Sequence, residues 1–237
     1  MEFSANKLTK WAANIDQYFI SSQHEDNSVN NTELFKAYLD TIAEILTEIA
    51  HKTTPNDHWE LFFMGDILEI RSKKLQHGFR FGTWLDIEFN METAILFPQH
   101  ISRMPDEFWK HILELNEYGK FVFTEDSMPN FPSCLTLQAK KKVKSNLFRL
   151  ARHYILFAAQ ENEDNIETKD SYEDFGSMQV SWPLNIKIED LLNKMFEVFT
   201  RFYRINYMLY RHEYIINHSK RKSGRKMQTR DEVDKKE

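Results

Sequence analysis

Phe79-Arg80-Phe81-Gly82-Thr83-Trp84-Leu85-Asp86-Ile87-Glu88-Phe89 is the stretch on which the fold turns. Phe79, Phe81, Leu85, Ile87 and Phe89 alternate with Arg80, Gly82, Trp84, Asp86 and Glu88. In an extended chain a period of two sends one set of side chains into a core and the other toward solvent. The spacing predicts one half-covered β-strand.

The neighbouring segments extend that strand into a sheet. Upstream, Trp59–Met64 and Ile67–Arg71 flank Gly65-Asp66, the pattern of two strands joined by a tight turn. Downstream, Asn90–Thr93 reads as a turn and Ala94–Phe97 as a further strand stopped by Pro98. Phe121-Val122-Phe123 and Cys134–Leu137 read as short strands, and Met178–Leu184 as an edge strand because of Pro183. The result is an antiparallel meander.

Helical periodicity surrounds it. Residues 4–21 carry Leu8, Trp11, Ala12, Ile15 and Phe19 on one stripe, an amphipathic helix, and a polar linker follows. Asn31 or Thr32 is placed to cap a second helix that runs to about His51 and stops at Thr53-Thr54-Pro55. A third opens near Pro105-Asp106-Glu107 and ends at Gly119, where a left-handed residue is expected. Residues 140–160 form a helix with basic first turns, and about Lys187 to Asn217 a long aromatic one. No repeat at a fixed period is visible. The fold class expected is α+β: an antiparallel β-meander covered by helices, with an N-terminal amphipathic helix pair and a long C-terminal helix. Its parts are an N-terminal helical segment (1–53), a core (58–218) and a disordered basic tail (219–237).

Composition bounds what such a chain can do. With 237 residues, six Gly, six Pro and nineteen Phe, there is a core to bury, and collagen-like or disordered classes are excluded. One cysteine, Cys134, cannot bridge internally. No run approaches the roughly 20 apolar residues that span a bilayer. The N-terminus shows no leader pattern, so an intracellular, cytoplasmic setting is expected. The net charge of -5 conceals a division. The segment 219–237 holds eight basic and four acidic residues, a net +4, which leaves -9 on the rest. An acidic body repels phosphate backbones, so nucleic acid could be met only by local basic segments.

Chemistry-bearing patterns are few. Glu107, His111 and Glu114 share a helix face but offer too few ligands for a metal. Asp86 and Glu88 share a strand face, as in restriction-endonuclease-type nucleases, without the accompanying Lys. Arg71/His77 and Arg211/His218 have the Arg-to-His spacing of HEPN ribonucleases, whose fold is all-helical. Cys134 lies on an apparent strand, where a thiol is usually buried and inert. Phosphate-binding glycine loops are absent. No catalytic residue, metal or cofactor is therefore assigned.

Two binding features are better populated. Lys140, Lys141, Lys142, Lys144, Arg149 and Arg152 make one helix start cationic, and Lys220, Arg221, Lys222, Arg225 and Lys226 form a polycationic run. The long helix carries apolar groups on more than one stripe. Phe196, Phe199, Phe202, Tyr203 and Tyr207, with Arg204 interleaved, belong either to a central helix or to a partner surface, and Trp11 and Phe19 pose the same choice. The first expectation is a non-enzymatic protein–protein interaction subunit of an intracellular multi-protein complex, for example a defence or DNA-transaction assembly. Compact length and scarce low-complexity sequence favour a prokaryotic source. Homo-oligomerisation stays open. The alternatives are a nucleic-acid-binding accessory protein using Lys140–Arg152 and the basic tail, and a metal-dependent nuclease.

Overall fold

The computed structural model describes residues 28–64, 67–84, 88–124, 150, 151, 154 and 175–233. In chain order the elements are α1 (Ser28–Thr53), β1 (Trp59–Met64), β2 (Ile67–Ser72), β3 (His77–Trp84) and β4 (Glu88–Ala94). A 3-10 helix (Pro98–Arg103), α2 (Asp106–Tyr118), β5 (Lys120–Thr124), β6 (Ser177–Pro183) and α3 (Ile188–Val233) follow. The six strands form one antiparallel sheet in the order β1-β2-β3-β4-β6-β5. This is an α+β fold.

The sheet has an apolar face and a polar one. Leu68, Ile70, Phe79, Phe81, Phe89, Met91, Phe121, Phe123, Met178, Val180 and Trp182 share the apolar side and are all buried. α1 covers the β1–β2 end with Leu39, Ile42, Ala43, Leu46, Ile49 and Ala50, one stripe at helical spacing. α2 packs on β5, β6 and α3 through Phe108, Ile112 and Leu115. Each fully buried side chain of this size contributes about 1.5–3 kcal/mol, so the covered face is the main source of stability.

The inner part of α3 lies among these layers. Leu191, Leu192, Met195, Val198, Phe199, Phe202, Ile205 and Leu209 are each at most 1% exposed, too wide an arc for one stripe. Phe199 packs its ring 4.9 Å from Phe79 and 5.6 Å from Trp59. Asn206 pins helix to sheet: its Oδ1 accepts from the amide of Leu96 at 2.9 Å, and its Nδ2 donates to the carbonyl of Ala94 at 3.1 Å. The loop before β1 is fastened by Asp57, whose carboxylate accepts from Ser72 Oγ at 2.5 Å and Tyr203 Oη at 3.1 Å.

Several boundaries differ from the sequence reading. Phe79–Phe89 is not one strand: β3 ends at Trp84, and β4 returns from Glu88. The alternation survives the reversal because Trp84 pairs with Glu88, so odd-numbered residues on both strands face the same side. Phe81 and Phe89 accordingly stack at 6.1 Å. Asn90–Thr93 is the middle of β4, not a turn, and Ala94 is that strand's last residue. Phe97 turns left-handed (φ 46°) into the 3-10 helix instead of ending a strand. β6 is interior, between β4 and β5, with Pro183 tolerated at its final position.

Gly119 is extended, φ 177°, and not left-handed. Glycine is required there by close approach. A Cβ would lie 2.6 Å from Val180 Cγ1 and 2.7 Å from Trp182 Nε1, which donates to the Tyr118 carbonyl at 2.6 Å. α1 begins at Ser28, ahead of the expected cap at Asn31 or Thr32. α3 runs on to Val233, past Asn217 and into the segment read as a disordered tail. The amphipathic helix at 4–21 and the strand at Cys134–Leu137 lie outside the described residues, so the expected N-terminal helix pair is not established. No described helix is long and apolar enough to cross a membrane.

Candidate functional site

The polar face of the sheet is built by register. Phe62, Glu69, Arg80, Glu92, Gln179 and Val122 stand directly opposite one another on β1, β2, β3, β4, β6 and β5. They form one row across all six strands, and its central four residues can exchange hydrogen bonds or charge. Glu69 is only 2% exposed and is held by two guanidinium groups. Arg80 Nε donates to its Oε2 at 2.9 Å, and Arg71 Nη2 to its Oε1 at 2.6 Å. Gly78 makes this possible, since a Cβ there would fall 2.4 Å from the Glu69 carboxyl carbon. Burial raises the Glu69 pKa, but its hydrogen bonds to Arg80 and Arg71 together outweigh that and hold it below the ordinary value.

Glu92 behaves oppositely. Burial pushes its pKa up, against a hydrogen bond from Ser177 and the nearby Arg80 charge. Beside it, Asn90 is 7% exposed with its Oδ1 unpartnered. Arg71 also lies over the Phe62 ring, 4.9 Å from its centroid. Charges of both signs stand side by side along this largely buried row.

The residues singled out from the sequence fall into three groups. Phe199, Phe202 and Tyr203 are core, 4% exposed or less, and take the central-helix alternative. Phe196 and Tyr207 are partly buried against that core, while Arg204 is exposed. Lys220, Arg221, Lys222, Arg225 and Lys226 lie on the helical backbone of α3. Trp11, Phe19, Asp86, Cys134, Lys140, Lys141, Lys142, Lys144, Arg149 and Arg152 lie outside the described residues.

Several residues of the catalytic patterns make contacts within the fold. Glu88 accepts from Ser181 Oγ at 2.8 Å and from Lys120 Nζ at 3.2 Å. Glu114 accepts from Arg201 Nε at 3.0 Å, and Arg201 also lies 4.2 Å from the Tyr118 ring centroid. His111 is buried, 3.7 Å from Glu107 and 3.9 Å from Glu114, with burial lowering its pKa. Among the described residues no group of three or more His, Cys, Asp or Glu could hold a metal ion. Arg71 and His77 lie on opposite faces of the sheet: Arg71 reaches Glu69, and His77 Nε2 bonds Thr93 Oγ1 at 2.8 Å beneath it. Arg211 and His218 are both exposed, and His218 stacks on Tyr214 at 4.1 Å.

Large apolar groups left exposed among the described residues are Phe62, Phe63, Leu113, Tyr214 and Ile215. Tyr214 (50%) and Ile215 (51%) adjoin Glu213, which bonds His100 on the 3-10 helix. The aromatic stripe continues outward here, Tyr210 on Tyr214 at 6.4 Å and Tyr214 on His218. Sequence reasoning passed over Ile215 and weighted the inner aromatics instead. Only packing distinguishes the two halves of one continuous pattern. Comparison with protein-family models, curated proteins and solved structures gives no match.

Proposed function

We propose that this protein is a non-enzymatic interaction subunit of an intracellular multi-protein complex, and that it docks its partner through the outer part of α3. The observation that carries this reading is the half-exposure of Tyr214 and Ile215 next to the helix's anchor at Glu213. Aromatic side chains are enriched at interface cores because they bury much area at little entropic cost. Supporting it, three of the carboxylates and imidazoles that suggested catalysis, Glu88, Glu114 and His77, are spent on internal bonds. Phe62 and Phe63, on opposite faces of the terminal strand of the described sheet, are also exposed.

The test is the double substitution Tyr214→Asp with Ile215→Asp. Melting temperature should stay near that of the parent, while the protein leaves its native high-mass assembly on sizing columns. An unchanged assembly would refute the reading.

Nucleic-acid binding is the second reading. The helical backbone through Val233 favours it, because it carries Lys220 to Lys226 on a continuous extension of the body. Binding of this kind weakens steeply with salt as counterions are released, so a flat salt response refutes it.

A further inference from the structure

Two imidazoles meet where α3 crosses the 3-10 helix. His100 and His212 stand edge to face with ring centroids 4.8 Å apart. His100 is 6% exposed; its Nε2 bonds Glu213 Oε2, and its Nδ1 is buried with no partner. His212 is partly exposed, yet its Nε2 is buried and unpartnered too. Glu213 is clamped from the other side by Asn217 Nδ2, at 2.7 Å from Oε1. The charged groups facing the pair are Glu213 from α3 and Arg103 from the 3-10 helix. Phe97 closes the apolar side, its ring 6.4 Å from His100.

We propose that His100, His212 and Glu213 form an acid-sensitive latch: it fastens the outer part of α3 to the 3-10 helix near neutral pH and releases it on acidification. With both rings neutral, His100 Nε2–H donates to Glu213, which can only accept. A proton added to His212 puts positive charge against the His100 ring and Arg103, and gives its buried Nε2 an N–H with no acceptor. His212 is already held below its ordinary pKa, by burial first and then by His100 and Arg103. The latched segment is the one that bears Tyr214, so release would move the docking surface of the proposed function. The latch itself does not depend on that reading.

Amide hydrogen exchange on the full chain, corrected for intrinsic rates, tests it without any partner. Between pH 7.5 and 5, protection in peptides covering 98–104 and 208–218 should fall about tenfold more than in the stretch 191–205. The stretch 191–205 should lose only what acid removes from the whole fold through the other buried histidines. His212→Gln, and independently His100→Gln, should abolish the excess loss in the outer segment. No excess loss over 191–205 in the parent overturns the latch. So does an excess that persists in both variants.

Discussion

Asn206 on α3 accepts from the backbone amide of Leu96 at 2.9 Å and donates to the carbonyl of Ala94 at 3.1 Å, with its own side chain fully buried. One amide thus satisfies a donor and an acceptor exactly where β4 runs out of sheet partners. Asn206→Ala leaves the buried Leu96 N–H unpaired and should cost about 2–4 kcal/mol. Urea unfolding with an unchanged slope measures it; a loss under about 0.5 kcal/mol would mean that water replaces the amide.

The two halves of α3 should respond differently to the same insult. Phe199 is fully buried between Phe79 and Trp59, so Phe199→Asp should cost more than about 4 kcal/mol, enough to unfold a marginally stable domain. Tyr214→Asp, at a half-exposed site, should stay within about 0.5 kcal/mol. Circular dichroism melts of both variants decide the matter. Comparable melts would mean that the helix does not change from core to surface along its length.

Acid should destabilise the fold through histidine. Burial lowers the His77 pKa to about 4, against a hydrogen bond from its Nε2 to the Ala94 carbonyl, and burial lowers His111 and His212 as well. In the unfolded chain His77 takes its proton near 6.5, in the folded one only near 4. Unfolding therefore takes up a proton in that window. The stability is complete above 6.5 and is lost as pH falls toward 4, about 1–3 kcal/mol after allowance for partial exposure of the ring. Urea midpoints at pH 7.5 and 4.5 measure it, and equal midpoints would contradict it.

Glu92 contributes with the opposite slope. Its pKa is raised by burial, so the folded state holds the proton more tightly and stability falls as pH rises above the ordinary value of 4.5. Glu92→Gln keeps the shape and removes the charge. It should stabilise the protein at pH 7.5 and change little at pH 4. Destabilisation at pH 7.5 would show that the attraction of Arg80 outweighs burial.

Gly119 tests a tight contact between α2 and β6. Gly119→Ala forces a methyl to within 2.6 Å of Val180 and 2.7 Å of Trp182, and should cost about 1–3 kcal/mol. A quenched Trp fluorescence change on unfolding, or a lowered melting temperature, would report it; a neutral result would mean that the strand shifts freely.

Elements with strong local periodicity were legible in the sequence. The β1–β2 hairpin, the α1 stripe and the span of α2 all follow from spacing and punctuation. What failed depended on the third dimension. A three-residue connection kept β3 and β4 in phase, so their alternation masked a reversal. Asn90 and Thr93 carry turn chemistry, yet flank Met91 in a strand whose apolar face is covered. The Glu69–Arg80–Glu92 row is invisible in sequence, because its members come from three strands and meet only through register. On α3, residues from Leu191 to Tyr214 show one unbroken aromatic pattern, and only the sheet and α2 decide which part is core.

Site-specific photo-cross-linking in the native cell reads out docking through the outer part of α3. A benzophenone side chain replacing Tyr214 should yield a discrete higher-mass adduct to a partner, and one replacing Phe202, which is buried, should yield none. Adducts absent at Tyr214 and Ile215 but present at another surface would contradict docking through the outer part of α3.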